Sequence, residues 1–204
     1  MIITDIKPCA KSNNRCNIYT DGAFACALFL DTIEKRDLCV GKALNEKELE
    51  EIVFEDDCKK CLSKASALLG VRARSKKEIK DKLKEKGFNK EHIEYAITRL
   101  AENGYIDDES FAKEYAEYLM KKGYGGFAVK QRLFQKGIDR ETAEKIVNAL
   151  NDSGAAYEYG KRAYAKYVRE EDEKKRQNKF FAAMQRHGFD YDTAKSVYER
   201  LEND

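Results

Sequence analysis

FAVKQRLFQKGIDRETAEKIVNAL (residues 127–150) carries one interrupted pattern: apolar residues at helical spacing, a glycine, an apolar residue, an aspartate, and a second apolar stripe. Val129 and Leu133 stand eight and four residues before Gly137, so they share one face of a helix. A glycine ends such a helix because the left-handed C′ conformation has no steric cost without a Cβ. Ile138 then packs back on the helix end, Asp139 is an N-cap, and Ala143, Val147 and Leu150 form the inner side of the next helix. The stretch decides the fold because it occurs three times. KEIKDKLKEKGFNKEHIEYAITRL (77–100) and NKFFAAMQRHGFDYDTAKSVYERL (178–201) align with it without gaps and place Gly87, Gly137 and Gly188 at spacings of 50 and 51 residues. Neither helix of such a pair can bury its stripe alone, which is the mark of a repeat architecture.

A further helix precedes each pair, at roughly 58–70, 109–122 and 154–174, so the predicted unit is three helices used three times. Asp107 or Asp108 caps the second of these helices, and the charge run REEDEKKR (169–176) extends the third as a solvated end or connector. The first 57 residues read differently. Cys16–Thr20 and Ala23–Leu30 are apolar runs separated by Asp21-Gly22, a pair suited to a tight hairpin. Phe24, Cys26, Leu28 and Leu30 are expected on one face, Ile2, Thr4 and Ile6 on a third strand, and Val40 in a short fourth. Asn45 with Glu48 three residues later opens a helix that closes or leaves this region. The expectation is a mainly α chain: a small antiparallel β-containing domain (1–57), then three-helix, helix-turn-helix-like repeats at 58–106, 107–152 and 153–204.

Composition agrees. Of 204 residues, 42% are hydrophobic and 37% charged with one proline, which suits amphipathic helices and not disorder. No run of about 18 apolar residues is present and the start lacks the layout of a secretory signal, so a cytoplasmic protein without membrane contact is expected. Residues 1–57 hold 7 basic against 12 acidic side chains and residues 58–204 hold 32 against 25, so the helical part leans towards an acidic partner. Cys58 and Cys61 form a CxxC, yet no second pair follows at zinc spacing, and inert thiols are expected. His92 and His187 occupy non-equivalent repeat positions with no nucleophile–base set and no phosphate-cradling glycine loop, so neither enzyme activity nor a cofactor or metal is expected.

Three segments carry a resemblance to a known family: VRARSKKEIKDKLKEKGF (71–88), GYIDDESFAKEYAEYLMKKGYGG (104–126) and VKQRLFQKGI (129–138). Arg74, Ser75 and Glu78, then Tyr105, Ile106, Asp107, Asp108, Phe111 and Ala112, then Lys136, Gly137 and Ile138 follow the pattern of the RecX recombination regulators. The resemblance covers about residues 60–201, and departs from the family where Gly125-Gly126 replaces a Gly-Pro-like step. It implies a regulator that binds the RecA recombinase filament along its groove and restrains ATP hydrolysis and strand exchange in recombination, DNA repair and the SOS response; a monomer is expected. Bases cluster in the middle helices and the turns before them, so Arg72, Arg74, Lys76, Lys80, Lys84, Lys130 and Arg132 are the candidate contacts, with Tyr124 in its glycine-rich step as the aromatic candidate. For each, ordinary surface charge or, for Tyr124, packing is the alternative. The competing function is a direct DNA binder of helix-turn-helix type, or a weak affinity for single- or double-stranded DNA beside the main role. Against it, the third helices of the first two repeats carry more Glu than a major-groove reader would.

Overall fold

The computed structural model describes residues 1–10, 12–150 and 153–203. The chain divides into two compact units, Met1–Arg72 with Ile79–Tyr105, and Ala73–Glu78 with Ile106–Asp204.

The first unit opens with an antiparallel sheet of order β1 (Ile3–Cys9), β2 (Ser12–Thr20), β3 (Ala23–Phe29). Asp21 and Gly22 both take positive φ, 50° and 83°, as the tight β2–β3 turn requires. Ile3, Ile18 and Leu28 face inward against Leu38, Leu44 and Ile52. The expected single face of β3 is broken: Tyr19 pairs with Phe24 while Ile18 pairs with Cys26, so a bulge turns Phe24 outward, where it is 59% exposed and lies edge-on to Tyr19. A shift between Ile3 and Asp5 likewise puts Ile3 inside and leaves Ile2 exposed. Leu30 begins the short helix α1 (Leu30–Lys35) instead of ending a strand, and Val40, 60% exposed, lies outside the three strands.

α2 (Glu46–Leu69) starts at the expected capping box, Asn45 and Glu48 exchanging hydrogen bonds at 2.8 Å, and continues for 24 residues. The helix expected at 58–70 is therefore its second half, and the domain boundary placed at 57/58 falls inside it. No proline or glycine interrupts residues 45–69, and the helix runs through the expected boundary without a break. Its first half ties down the sheet: Asp56, 1% exposed, accepts from the Phe29 N–H at 2.7 Å and from Arg15 at 3.0 Å. Its second half buries Cys58, Cys61 and Ala65 and packs against α4 (Lys90–Glu102), whose Ile93, Ala96, Ile97 and Leu100 are buried. Burial pushes the Cys61 thiol up to about 11 and raises that of Cys58, the chemistry of unreactive thiols. α3 (Lys76–Glu85) lies between them in the chain and contributes Ile79 and Leu83.

The second unit holds α5 (Asp108–Lys121), α6 (Gly126–Gln135) and α7 (Arg140–Ala149) around one core, and α8 (Ser153–Tyr167), α9 (Glu173–Arg186) and α10 (Tyr191–Asn203) around another. The expected punctuation is present. Gly87, Gly137 and Gly188 have φ of +84°, +83° and +89°, and Asn89, Asp139 and Asp190 accept from the N–H three residues on at 2.7–2.9 Å. Asp107 caps α5. The boundary placed at 152/153 touches residues 151 and 152, which lie outside the described residues. The helix expected at 154–174 ends earlier, at Tyr167. Asp172 accepts from the Lys175 N–H and starts α9 one turn before the repeat alignment, while Glu170 pairs with Lys179 and its carbonyl accepts from Arg176. The first half of the charge run is thus the connector between the two helices and its second half is the first turn of α9, held by a cap and ion pairs. Among the described residues no helix is long and apolar enough to cross a membrane.

Candidate functional site

Within the second unit, the N-terminus of one middle helix meets the C-terminus of another, twice. At the first joint, Lys76–Glu78 of α3 meet the end of α6. Ser75, fully buried, donates from Oγ to the Lys136 carbonyl at 2.6 Å and accepts the Glu78 N–H at 3.2 Å. The Glu78 carboxylate pairs with the Lys136 ammonium at 2.6 Å, Lys77 donates to the Gln135 carbonyl at 3.0 Å, and Asp108 accepts the Lys76 N–H at 2.8 Å. Donors that α3 cannot satisfy within itself, and carbonyls left over at the end of α6, are thereby paired, with opposite helix-dipole ends together. Ser75, Glu78, Asp108, Lys136 and Gly137, which carry the family pattern, are brought into one place by this joint.

The second joint uses equivalent positions with other chemistry. Gly125 stands where Ser75 stood, and its N–H donates to the His187 carbonyl at 2.8 Å; Phe127 N–H donates to the Gly188 carbonyl at 3.1 Å. A Cβ on Gly125 would lie 2.5 Å from the Gly188 oxygen, and one on Gly188 would lie 2.3 Å from the Ala128 nitrogen. This close backbone approach is the physical reason for the glycine at 125. Beside it the His187 ring stacks on Tyr159 at 3.7 Å and on Tyr124 at 5.4 Å, and the Arg132 guanidinium lies 3.8 Å from the Tyr124 ring centroid. Burial lowers the His187 pKa below the ordinary histidine value; a hydrogen bond to the Gly123 backbone opposes this, and Arg162, Arg132 and Arg186 add to it. His187 Nδ1 is buried without a hydrogen-bond partner among the described residues.

The sequence candidates are placed as follows. Arg72 and Lys84 are exposed, and Arg74, Lys76 and Lys80 are half-buried. Lys76, Lys80 and Lys84 recur every four residues on α3, but Lys80 is paired with Glu94 at 2.7 Å, and that ammonium lowers the Glu94 pKa. Half-buried Lys130 lines a cavity of about 580 Å³ with Phe127, Val147 and Phe189. Tyr124 is half-buried against the α5–α7 core and holds Arg132 on one ring, so these two candidates are brought together.

Two features escaped the sequence reading. Phe127 and Phe134 of α6 are 65% and 41% exposed. A basic cleft of about 450 Å³ also opens between α8 and α9, lined by Tyr159, Arg162, Lys166, Tyr167, Arg186 and His187. The spacing of Tyr159, Arg162 and Lys166, three and four residues apart, marks one stripe of α8 and was the available sign.

Residues 1–45, 61–100 and 107–146 match the family profiles described as regulatory protein RecX N-terminal domain, RecX first three-helix domain and RecX second three-helix domain. The chain is 30% identical over 205 residues to the "Regulatory protein RecX" of Clostridium perfringens (strain SM101), covering 98% of this chain and 96% of that one. It is 31% identical to that of Bacillus velezensis over 98% of this chain and 77% of the other. A crystal structure of regulatory protein RecX superposes with a TM-score of 0.76 at 26% identity, over 100% of this chain and 99% of that one.

Proposed function

Since the chain belongs to the RecX family of regulatory proteins, we propose that it binds the RecA recombinase filament and restrains its ATP hydrolysis and strand exchange in recombination and DNA repair. It acts as a cytoplasmic monomer by binding, without a catalytic step of its own.

The observation that carries this reading is the recurrence of one joint at equivalent positions, Ser75–Lys136 and Gly125–His187. A chain that repeats one helical unit presents similar side chains at regular intervals, and a polymer of identical protomers presents similar acceptors at regular intervals. Several modest contacts then combine through effective concentration. Arg72, Arg74 and Lys130 are the contacts favoured, because they occupy the starts of the middle helices and the turns before them, with Lys76, Lys80, Lys84, Tyr124 and Arg132 supporting them.

The test is binding of the full chain to recombinase filaments formed on single-stranded DNA, with ATP hydrolysis followed in parallel. The expected result is saturable binding with suppressed hydrolysis, and a loss of more than about fivefold in affinity for the Arg72→Ala/Arg74→Ala/Lys130→Ala variant. Binding by that variant within about twofold of the parent would remove these residues from the contact. Unchanged hydrolysis at saturating protein would remove the regulatory reading itself.

A further inference from the structure

Repetition turns α6 into a controlled comparison, because the same face of the same helix recurs in the chain with other residues. In the gapless alignment Phe127 and Phe134 correspond to Lys77 and Lys84 in the first copy and to Asn178 and Gln185 in the third, all four polar and exposed. The fold therefore does not require aromatic rings there. Yet Phe127 and Phe134 are 65% and 41% exposed, and among the described residues α6 is the one helix that carries two exposed large apolar side chains. Seven residues apart, they share one stripe about 10 Å long. Neither ring has a ring or cation partner among the described residues.

Lys130 stands between them, and among the described residues its ammonium makes no ion pair. Glu144, a carboxylate that feels it, is taken by Arg140 at 2.9 Å. Beside Phe127 and Lys130 opens the groove of about 580 Å³, with Val147, Leu150 and Phe189 as apolar lining and with Asp190 spent as the N-cap of α10.

Spacing and charge choose the occupant. An α-helix laid along α6 repeats apolar side chains at the same two-turn interval, so it meets both rings at once, sends a side chain of the intervening turn into the groove, and holds a carboxylate over Lys130. In an extended strand, side chains on one face recur at about 6.6 Å, which does not match that interval. A second copy would set Lys130 against Lys130, and the two pairs of rings would bury about 400 Å², short of the roughly 1,200 Å² of a stable pair. We propose that this face of α6 docks a short amphipathic helix of a partner protein, one with apolar residues two turns apart and a carboxylate between them. The proposal goes beyond filament binding and does not rest on it.

The experiment titrates the full chain into labelled peptides of about 18 residues and follows fluorescence anisotropy, without recombinase. One peptide is alanine-rich, with leucines two turns apart and a glutamate between them; a second carries lysine in place of that glutamate, and a third has a central proline that breaks the helix. The parent is expected to bind the glutamate peptide at least about fivefold more tightly than either of the others. Phe127→Asn/Phe134→Gln, which installs the third copy's residues at exposed positions, should weaken that binding about tenfold at an unchanged melting temperature; Phe127→Asn alone replaces it if the double variant melts early. Lys130→Glu should invert the preference between the glutamate and lysine peptides, a result that loss of folding cannot imitate. The proposal is overturned if the parent does not bind the glutamate peptide at about 1 mM, if the proline peptide binds equally well, if the phenylalanine variant binds as the parent does, or if Lys130→Glu leaves the preference unchanged. Self-association of the parent at the same concentrations, abolished in the phenylalanine variant by sedimentation, would also overturn it, in favour of a second copy.

Discussion

The two joints of the second unit perform one geometric task with different materials. At Ser75–Lys136 the contact is made by side chains: a buried hydroxyl, an ion pair and a borrowed aspartate cap. At Gly125–His187 backbone meets backbone, and a pile of rings replaces the ion pair. Side chains can shift by a few tenths of an ångström and re-form, whereas two main chains in contact have little room to yield. The second joint should therefore tolerate less substitution, while the first should depend more on the identity of its polar atoms.

The sharpest way to break this comparison is to add a methyl group at equivalent glycines. Gly188→Ala combines a positive φ with a collision against the Ala128 backbone and is expected to cost about 3 kcal/mol or more by chemical denaturation. Gly87→Ala has the same strained φ but open space around it and should cost only about 1 kcal/mol. Gly137→Ala, which meets the Lys77 side chain, should fall between them; equal losses at all three would mean that conformation alone, and not the joint, sets the penalty.

A smaller effect sharpens the polar side. Ser75→Ala leaves a Lys136 carbonyl and a Glu78 N–H without their partner and should cost about 1–2 kcal/mol. Glu78 and Lys136 are 15% and 29% exposed, so a double-mutant cycle of Glu78→Gln and Lys136→Met should give a coupling of about 1 kcal/mol, whereas a value near zero would reduce the pair to surface decoration.

The smallest expected effect separates the joints by pH. The folded His187 pKa lies below the ordinary value of 6.5, so the unfolded chain binds the proton more readily than the folded one. The stability from a neutral His187 is complete above that unfolded value and is lost as pH falls below it. Melting temperatures measured between about pH 7.5 and 5.5 should fall more for the parent than for His187→Gln. Parallel curves would show that the ring is indifferent to its charge.

Much of the helical fold was legible because its punctuation is local. Gly137 stops a helix and Asp139 starts the next through contacts within a few residues, and the same holds at the other two copies. What was not legible depended on distance or on the absence of punctuation. The outward turn of Phe24 comes from one extra residue in a strand pairing, which spacing alone does not reveal. The break after Tyr167 has no glycine or proline to announce it and is made by Asp172 and Glu170. At the candidate site the charges were visible but their neutralisation was not: Lys136 meets Glu78 across 58 residues. The α8–α9 cleft was missed because its tyrosines have the spacing of core residues, and several of them do pack in the core while also forming its wall.

α2 has a consequence for how the first unit comes apart. One uninterrupted helix gives its first half to the β-sheet and its second half to α4, so the region that looks like an appendage shares a backbone hydrogen-bond ladder with the region that looks like a repeat. A truncation starting at Cys58 would discard the capping box, half the helix and the buried Asp56 together. The sheet and the helices beside it are therefore one cooperative block, with no natural seam between them for evolution, a protease or an experimenter to cut.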